Sequence, residues 1–327
     1  MISNTLGTRG SEATRVLILS GSKCNQNYYR DLELARQTRA VFLAEGYDFA
    51  SFDWNVSRIA EQIFGGPPDW IFINYIHSYT HRLHGFETLR APVFGFIGDH
   101  YDFLNVTPAA QAKQAFFRKL PLTGLVTAYP HTNLEVLQAL GRPNIPVINL
   151  PWAIDSEVFR DLKKKRRYDI ACMGALTEGK YPFRRLVRTY LEAQNDLKLF
   201  HKNRVKGRSG SNHDGDAFNR ALNQSRSAFT CASSMQYLLM KYFEIPASGA
   251  LLFAEQIPYL DAMGFKDGEH YISVTPDNFR ERMTHYLNGS HYAEGEVIAK
   301  NGHDFIHAQH TWKLRIELFL SQINDLI

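Results

Sequence analysis

The most informative segment of the chain is residues 241–254. It contains a carboxylate and, about one helical turn later, a loop of small residues. The segment reads Lys-Tyr-Phe-Glu-Ile-Pro-Ala-Ser-Gly-Ala-Leu-Leu-Phe-Ala, so Glu244 precedes Ser248-Gly249 and an apolar run follows. Gln236 lies two helical turns before Glu244 on the predicted helix. A carboxylate accepts hydrogen bonds from vicinal hydroxyls such as those of ribose, and small turn residues let backbone N–H groups approach phosphate. The pattern predicts a nucleotide-binding segment; the alternative for Glu244 is an exposed residue at a helix end.

A cluster of cations follows the first strand in the second half of the chain. The segment Met173-Gly-Ala-Leu-Thr-Glu-Gly-Lys-Tyr-Pro-Phe-Arg-Arg185 leaves a strand, passes Gly174 and enters a helix. Lys180, Arg184 and Arg185 lie at the start of that helix, where positive charge opposes the helix dipole. A bound diphosphate would make this arrangement favourable, because its negative charge interacts with both the helix dipole and the cations. We expect Gly174, Lys180 and Arg184 to bind phosphate, with one of the two arginines simply solvated.

Polar residues also follow strands in the first half of the chain. Gly21 comes after the first strand, where a small residue permits close approach of a ligand, and a plain tight turn is the alternative. Only one of the three glycines of a dinucleotide fingerprint is present there, which disfavours an NAD-dependent dehydrogenase. Asp99 and His100 follow another strand and are candidates to hold an acceptor or to act as its base, with a structural role as the alternative. His77 is a weaker candidate of the same kind.

The sequence predicts no metal centre. The thirteen histidines show no His-Glu-x-x-His pattern and no paired ligand spacing, and Asp214-Gly-Asp216 lies in a polar loop. Neither a P-loop nor a Gly-x-Ser-x-Gly motif occurs. The three cysteines are far apart, which indicates free thiols in a reducing compartment, and residues 1–14 lack the apolar core of a secretory signal. We therefore expect a cytoplasmic protein without stable membrane insertion.

The positive charge of the chain is concentrated in two short runs. The net charge is +4, and Lys163-Lys-Lys-Arg-Arg167 alone carries five positive charges. Lys202-Asn-Arg-Val-Lys-Gly-Arg208 carries four more. Such runs can bind phosphate groups or another polyanion, and solvated loops are the alternative.

Short apolar runs alternate with longer amphipathic segments along the chain, which is typical of parallel sheets covered by helices. A proline-flanked, charged segment at residues 151–167 interrupts this α/β pattern, which then restarts. We predict two Rossmann-like domains, residues 1–155 and 168–310, with parallel sheets facing across a cleft, and a last helix, residues 311–327, packed on the first domain. The predicted strands are Val16–Ser20, Trp70–Ile76, Val93–Ile97, Leu125–Ala128, Val147–Leu150, Asp169–Met173, Leu197–Phe200, Ala228–Ala232, Leu251–Ala254 and Tyr271–Val274, and the predicted helices include Asp31–Glu45, Phe183–Ala193, Gln236–Phe243 and Asn278–Leu287.

Several of these segments together resemble one family. Tyr168-Asp-Ile-Ala-Cys-Met-Gly174, Tyr181-Pro-Phe-Arg184, and Lys241-Tyr-Phe-Glu244 through Leu252 look like motifs of the CgeB-type spore-maturation glycosyltransferases. These belong to the GT-B enzymes with a family-4-like donor domain. The resemblance covers most of the chain and is strongest from residue 168 onward. Further matching segments are Gly268–Ser273, Phe279–Leu287, His310–Arg315, Ala91–Asp99 and Asn149–Asp155.

The resemblance implies a metal-independent enzyme of the hexosyltransferase type whose donor is a nucleotide diphosphate sugar, with a UDP-sugar expected. It implies that Glu244 binds the ribose, that Lys241 replaces an arginine, and that Gln236 replaces the first acidic residue of a paired-glutamate pattern. Lysine keeps the charge of arginine and loses its bidentate geometry, whereas glutamine cannot stabilise positive charge at the anomeric carbon. The catalytic arrangement and the choice between retention and inversion therefore stay open.

The acceptor also stays open: a glycan, a small molecule, a protein and a modified nucleic acid are all compatible with the sequence. Two alternatives to transfer are kept. One is a nucleotide-sugar epimerase of the same architecture. The other is a non-catalytic protein that binds a nucleotide sugar or a polyanion, which the glutamine at position 236 favours.

Overall fold

The chain divides into two compact units. The structure, a computed structural model, describes residues 14–20, 28–43, 49–74, 80–201 and 215–327. One unit comprises Met1–Pro151 and Arg315–Ile327, and the other comprises Trp152–Leu314. Within the described ranges, no helix combines the length and the apolar character needed to cross a membrane. Five features of the sequence lie outside the described residues, namely Gly21, Cys24, His77, the run Lys202–Arg208 and Asp214.

The first unit is built on a six-stranded parallel sheet. Its strands are β1 (Arg15–Leu19), β2 (Arg39–Leu43), β3 (Trp70–Asn74), β4 (Val93–Ile97), β5 (Leu122–Thr127) and β6 (Val147–Asn149). They pair in the order β2-β1-β3-β4-β5-β6, and each described pairing is parallel. Every residue of β3 and β4 is buried, as expected for strands covered on both faces. The helices of this unit include α1 (Tyr28–Gln37), α2 (Val56–Phe64), α3 (Phe86–Leu89), α4 (Tyr101–Leu104), α5 (Pro108–Lys119) and α6 (Asn133–Leu140).

The strand β2 replaces the second half of the predicted helix Asp31–Glu45. Helix α1 ends at Gln37, and the hydroxyl of Thr38 donates to the carbonyl of Leu34 (2.7 Å). From Arg39 onward the chain pairs with β1. The sequence Ala-Val-Phe-Leu that follows Arg39 contains branched and aromatic residues that favour strands. The local sequence is compatible with a helix or with a strand, and pairing with β1 selects the strand.

The second unit repeats the architecture with five parallel strands. They are β7 (Tyr168–Ala171), β8 (Leu199–Phe200), β9 (Ser225–Thr230), β10 (Leu251–Glu255) and β11 (Ile272–Val274). Their order is β11-β10-β9-β7-β8, and each described pairing is parallel. All five strands predicted in this half are confirmed, with shifts at their ends. The helices are α7 (Pro182–Glu192), α8 (Gly215–Leu222), α9 (Lys241–Ala247), α10 (Pro258–Ala262), α11 (Phe279–Leu287) and α12 (Tyr292–Gln309).

The last helix, α13 (Trp312–Asn324), belongs to the first unit from Arg315 onward. Its Phe319 packs edge-on against Trp70 and Phe72 of β3, with ring centroids 6.1 and 5.8 Å apart. Aromatic pairs of this kind contribute about 0.5–1.5 kcal/mol each beyond the burial of their area. The final helix is thus part of the covering layer of the first sheet.

The order of elements decides which residues share an edge of the second sheet. Because the strands are parallel, their carboxyl ends lie at one edge, where open α/β sheets bind ligands. Helix α9 returns from the carboxyl end of β9 to the amino end of β10. Lys241, its first residue, therefore lies at the carboxyl edge, whereas Ser248 and Gly249 lie at the amino edge.

Candidate functional site

Arg184 is a buried cation at the carboxyl ends of β7 and β9. The residue is 2 % exposed, and its guanidinium carbon lies 4.2 Å from the ring centroid of Tyr181. Its Nη1 donates to the carbonyl of Ala175 (3.0 Å) and its Nη2 to the carbonyl of Cys231 (3.4 Å). The Nε–H has no hydrogen-bond partner among the described residues. A guanidinium held in this way is suited to bind an anion, because its position is fixed before the ligand arrives.

Gly174 makes room for this cation in the turn after β7. Its φ is +121°, and a β-carbon there would lie 3.1 Å from Nη1 of Arg184 and 3.6 Å from Cε of Lys241. Both cations therefore pack against the backbone of the same turn, which glycine alone permits. Arg185, by contrast, is exposed and pairs with Glu178 (3.1 Å). Of the two arginines in this segment, Arg184 faces the sheet and Arg185 faces solvent.

Lys180 and Lys241 complete the positive charge at this edge. The carbonyl of Lys180 accepts a hydrogen bond from the N–H of Ser234 (2.9 Å), which ties the turn after β7 to the turn after β9. Lys241 is half-buried at the start of α9. Its pKa is lowered by burial and then by the charge of Arg184, while Glu244 raises it. Cations this close together repel one another, so the arrangement favours a ligand with negative charge.

Glu244 is a nearly buried carboxylate in the first turn of α9. It is 8 % exposed, and burial raises its pKa to about 7, against the opposing effect of the charge of Lys241. In the part of the chain that the structure describes, no group donates a hydrogen bond to its carboxylate. Buried polar groups of native proteins are normally hydrogen-bonded. The carboxylate is therefore able to accept hydrogen bonds from a bound ligand, and the alternative of an exposed helix-end residue is not what the structure shows.

Gln236 lies in a turn rather than on the predicted helix, which begins only at Lys241. Its φ of +56° is in the left-handed region that non-glycine residues seldom adopt. Its side-chain amide lies close enough to the carboxylate of Glu255, the last residue of β10, to influence its pKa. Burial raises the pKa of Glu255, and the amide of Gln236 and the charge of Arg184 oppose that rise. A second carboxylate therefore lies at the same edge as the cations.

Glu255 is a candidate that sequence reasoning missed. The signal available in the sequence is its place directly after the apolar run Leu251–Ala254, at the carboxyl end of a strand. The hydroxyl of Tyr242 donates to the backbone carbonyl of Glu255 (2.8 Å) and holds that strand end against α9. Glu255 is a candidate because it lies next to Gln236, and the sequence does not show that the two residues are neighbours in the fold.

Ser248 and Gly249 are not part of this cluster. The Ser248 hydroxyl is 2.6 Å from Oδ1 of Asn219 and 2.8 Å from the carbonyl of Glu244. The carbonyls of Ser248 and Gly249 both accept from Nη2 of Arg166 at 3.0 Å. The structure therefore does not bring this pair together with Lys180 and Arg184 as predicted. They form a structural turn at the amino edge, because α9 carries the chain across the sheet.

In the first unit, His100 is fully buried, and Asp99 before it is partly exposed after β4. The Nδ1 of His100 is hydrogen-bonded with the hydroxyl of Thr132, and its ring packs edge-on against Tyr129 at 5.7 Å. Burial lowers the pKa of His100 to about 3, and nearby positive charge adds to the effect. A neutral, enclosed imidazole of this kind fits a core histidine better than a base that meets an acceptor. Asp99 is therefore the more accessible of the two candidates.

The fold and the cluster define a class of protein: a two-domain α/β protein whose second sheet has cations and carboxylates at its carboxyl edge. Residues 156–321, half of the chain, match the family model described as Glycosyl transferase-like, and the chain belongs to this family. The predicted enzyme class, a glycosyltransferase, is thereby confirmed. No curated protein sequence matches the chain.

Several solved structures are similar to this chain in fold. HepE from Anabaena, solved in complex with UDP and glucose, gives a TM-score of 0.62 at 8% identity over 95% of this chain and 100% of that chain. Sucrose-phosphate synthase from Thermosynechococcus elongatus gives 0.58 at 9% identity, over 96% and 99%. A glycosyltransferase from Rickettsia africae gives 0.59 at 8% identity, over 96% and 99%. The predicted fold, two parallel-sheet α/β domains of the GT-B type, is confirmed.

Proposed function

We propose that the protein transfers a hexose from a UDP-sugar to an acceptor without a bound metal, as a CgeB-type member of its family. The observation that carries this proposal is the group of Arg184, Lys241 and Glu244 at the carboxyl edge of the second sheet. HepE, which shares the fold, was solved with UDP-glucose as well as with UDP and glucose. That similarity supports uridine as the base of the donor.

The diphosphate of the donor would bind Arg184 and Lys241, with Lys180 on the rim. Burial lowers the pKa of Lys241, and the positive charge of Arg184 lowers it further, so the two cations repel each other. A diphosphate between them would remove this repulsion and would satisfy the Nε–H of Arg184. The same cations would stabilise the negative charge that grows on the leaving diphosphate, which is the role a metal has in other enzymes of this chemistry.

The ribose of the donor would bind Glu244. A carboxylate with no hydrogen-bond donor in the described structure can accept from both hydroxyls of a ribose. The residue lies one helical turn from Lys241, so ribose and diphosphate would extend along the start of α9. A bound donor would therefore contact the same helix through its sugar hydroxyls and its phosphate oxygens.

The transferred sugar would lie near Gln236 and Glu255. Gln236 can hydrogen-bond a sugar hydroxyl, and Glu255 supplies the negative charge that a glutamine at position 236 lacks. We assign Glu255 the stabilisation of positive charge at the anomeric carbon, because preorganised charge is usually the largest catalytic contribution. In the first unit, Asp99 stays the candidate to bind the acceptor.

Binding of UDP to purified variants tests the donor site by titration calorimetry. Lys241→Ala and Glu244→Gln should each raise the dissociation constant for UDP about tenfold or more, which is a loss of about 1.4 kcal/mol in binding free energy. Arg185→Ala is the matched control, because it removes an exposed cation from the same segment as Arg184. It should change the affinity less than twofold or so. Unchanged binding in Lys241→Ala, or an equal loss in Arg185→Ala, would contradict the assignment.

A second candidate is a nucleotide-sugar-binding protein that does not catalyse transfer. The neutral amide of Gln236, in the place of an acidic residue, is the observation that favours it. Release of UDP from UDP-glucose and from other UDP-sugars, followed over hours with purified protein, separates the two. Turnover supports the transferase, whereas tight binding without any release of UDP across donors and acceptors supports the second candidate.

The buried thiols bear on the compartment in which the protein works. Cys172 and Cys231 are free and buried, and burial raises the pKa of Cys172 to about 11. Thiols in this state are unreactive and need no partner. They support the proposal of a cytoplasmic enzyme that has access to nucleotide-sugar donors.

A further inference from the structure

Two histidines and a glutamate converge at the corner between α11 and α12, far along the chain from the cluster around Arg184. His285 is in the last turns of α11, His291 lies in the short connection, and Glu294 is in the first turn of α12. Their ligating atoms all lie within 4.8 Å of one another. All three side chains are exposed, so an ion can reach them directly from solvent.

The distances suit a shared ion better than a direct contact. Oε2 of Glu294 lies 3.8 Å from Nε2 of His285 and 3.6 Å from Nδ1 of His291. Both distances are too long for a hydrogen bond. Two ligands of a tetrahedral ion, each about 2.0 Å from the metal, lie about 3.3 Å apart. Rotation of these exposed side chains would therefore bring the three donor groups to the spacing of a shared ion.

The two imidazole rings pack against each other at this corner. The imidazoles of His285 and His291 are stacked at 3.7 Å with an interplanar angle of 23°. An imidazole binds a metal through the in-plane lone pair of a ring nitrogen, so one of these exposed rings must turn before both reach the same ion. Two imidazoles and one carboxylate are donors that Zn²⁺ binds, with water in the fourth position.

Tyr286 orients the carboxylate in the way expected around a metal. Its hydroxyl donates to Oε1 of Glu294 (3.2 Å), which leaves Oε2 directed toward the two histidines. Ligating carboxylates are commonly held by such a second group, whose loss lowers metal affinity about 10- to 100-fold. Tyr286 also lines a cavity of about 390 Å³ at the amino edge of the sheet, so this corner is away from the carboxyl edge where Arg184 and Lys241 lie.

We propose that His285, His291 and Glu294 form a Zn²⁺ site that fastens α11 to α12. The ion would link two helices across a turn that contains Asn288 and Gly289. It would stabilise the folded chain by mass action, because these ligands come together only when the corner is formed. The ion has no part in the transfer reaction proposed above.

The test measures Zn²⁺ binding to the full chain after treatment with a chelator, by competition with a chromophoric chelator. His285→Ala and His291→Ala should each raise the dissociation constant for Zn²⁺ at least about tenfold, and so should Tyr286→Phe. His303→Ala is the matched control, since His303 also lies beside a carboxylate, Asp304, on the surface of α12 (3.1 Å). It should bind Zn²⁺ as the wild type does.

A spectroscopic readout keeps the result independent of folding. Co²⁺ bound to the wild type should give the strong visible bands of a four-coordinate ion, and Glu294→Gln, which keeps the shape of the side chain, should lose them. Zn²⁺ should raise the melting temperature of the wild type and of His303→Ala, but not of His291→Ala. Unchanged affinity in both histidine variants, or an unchanged Co²⁺ spectrum in Glu294→Gln, would overturn the proposal.

Discussion

Glu244 shows how one residue can be costly for stability and useful for binding. A carboxylate that is 8 % exposed and has no described hydrogen-bond donor loses hydration, and the charge of Lys241 offsets this loss only in part. Its raised pKa, about 7, measures this cost. A ligand that brings two hydroxyl donors would offset it at the moment of binding. Perturbed groups of this kind are concentrated at functional sites.

The pH dependence of stability should report this cost directly. The pKa of Glu244 is raised from 4.5 to about 7, so the folded state binds the proton more tightly than the unfolded state. The contribution of this proton to the free energy of unfolding is fully present below pH 4.5 and is lost as the pH rises through 7. Glu244→Gln should therefore be more stable than the wild type at pH 8, by up to about 3 kcal/mol. Urea unfolding should show this advantage disappear toward pH 4.5, and an advantage that grows at low pH would contradict the argument.

Glu255 should affect turnover more than binding. If it stabilises positive charge at the anomeric carbon, Glu255→Gln removes an interaction made mainly in the transition state. The kcat for release of UDP from the donor should fall about 100-fold or more, with a much smaller change in KM. Glu269→Gln is the control, because Glu269 is an exposed carboxylate of the same unit. A large change in KM with unchanged kcat would place Glu255 in donor binding instead.

At the scale of elements, the turn after β7 determines where the cations lie. Gly174 has φ +121°, and a β-carbon there would be 3.1 Å from Nη1 of Arg184. Gly174→Ala should cost about 1–3 kcal/mol of backbone strain and should weaken UDP binding, because Arg184 must move. Gly179→Ala, in the same turn, has no atom within 4 Å of the added carbon. Thermal unfolding and UDP titration of both variants check the prediction, and equal effects in the two would contradict it.

Parallel strands and their order along the chain could be predicted from apolar runs, because strands buried on both faces leave a strong local signal. The segment Arg39–Leu43 could not, since its strand depends on pairing with β1. The cations of the site and Glu244 were predictable from residue types that are unfavourable for stability alone. The role of Glu255 and the structural role of Ser248-Gly249 were not predictable, because the direction of α9 decides which edge of the sheet each residue reaches. His285, His291 and Glu294 cross a break between helices, so no periodic spacing reveals them.

At the scale of the whole molecule, the chain returns at its end to complete the first unit. Helix α13 starts in the second unit and belongs to the first from Arg315 onward, where Phe319 packs on β3. The proposed donor-binding residues all lie between residues 174 and 255, in the second unit. Packing of the last helix and binding of the donor are therefore carried by different units.

This separation predicts that stability and donor binding respond differently to changes in α13. Phe319 is 2 % exposed, so Phe319→Ala should destabilise the protein by about 3–5 kcal/mol through the cavity it leaves. Leu318→Ala, on the same helix and 62% exposed, should cost much less. Both variants should bind UDP with the affinity of the wild type below their unfolding transitions. Calorimetric unfolding and UDP titration check this, and a loss of UDP affinity in folded Phe319→Ala that Leu318→Ala lacks would show that the last helix contributes to the donor site.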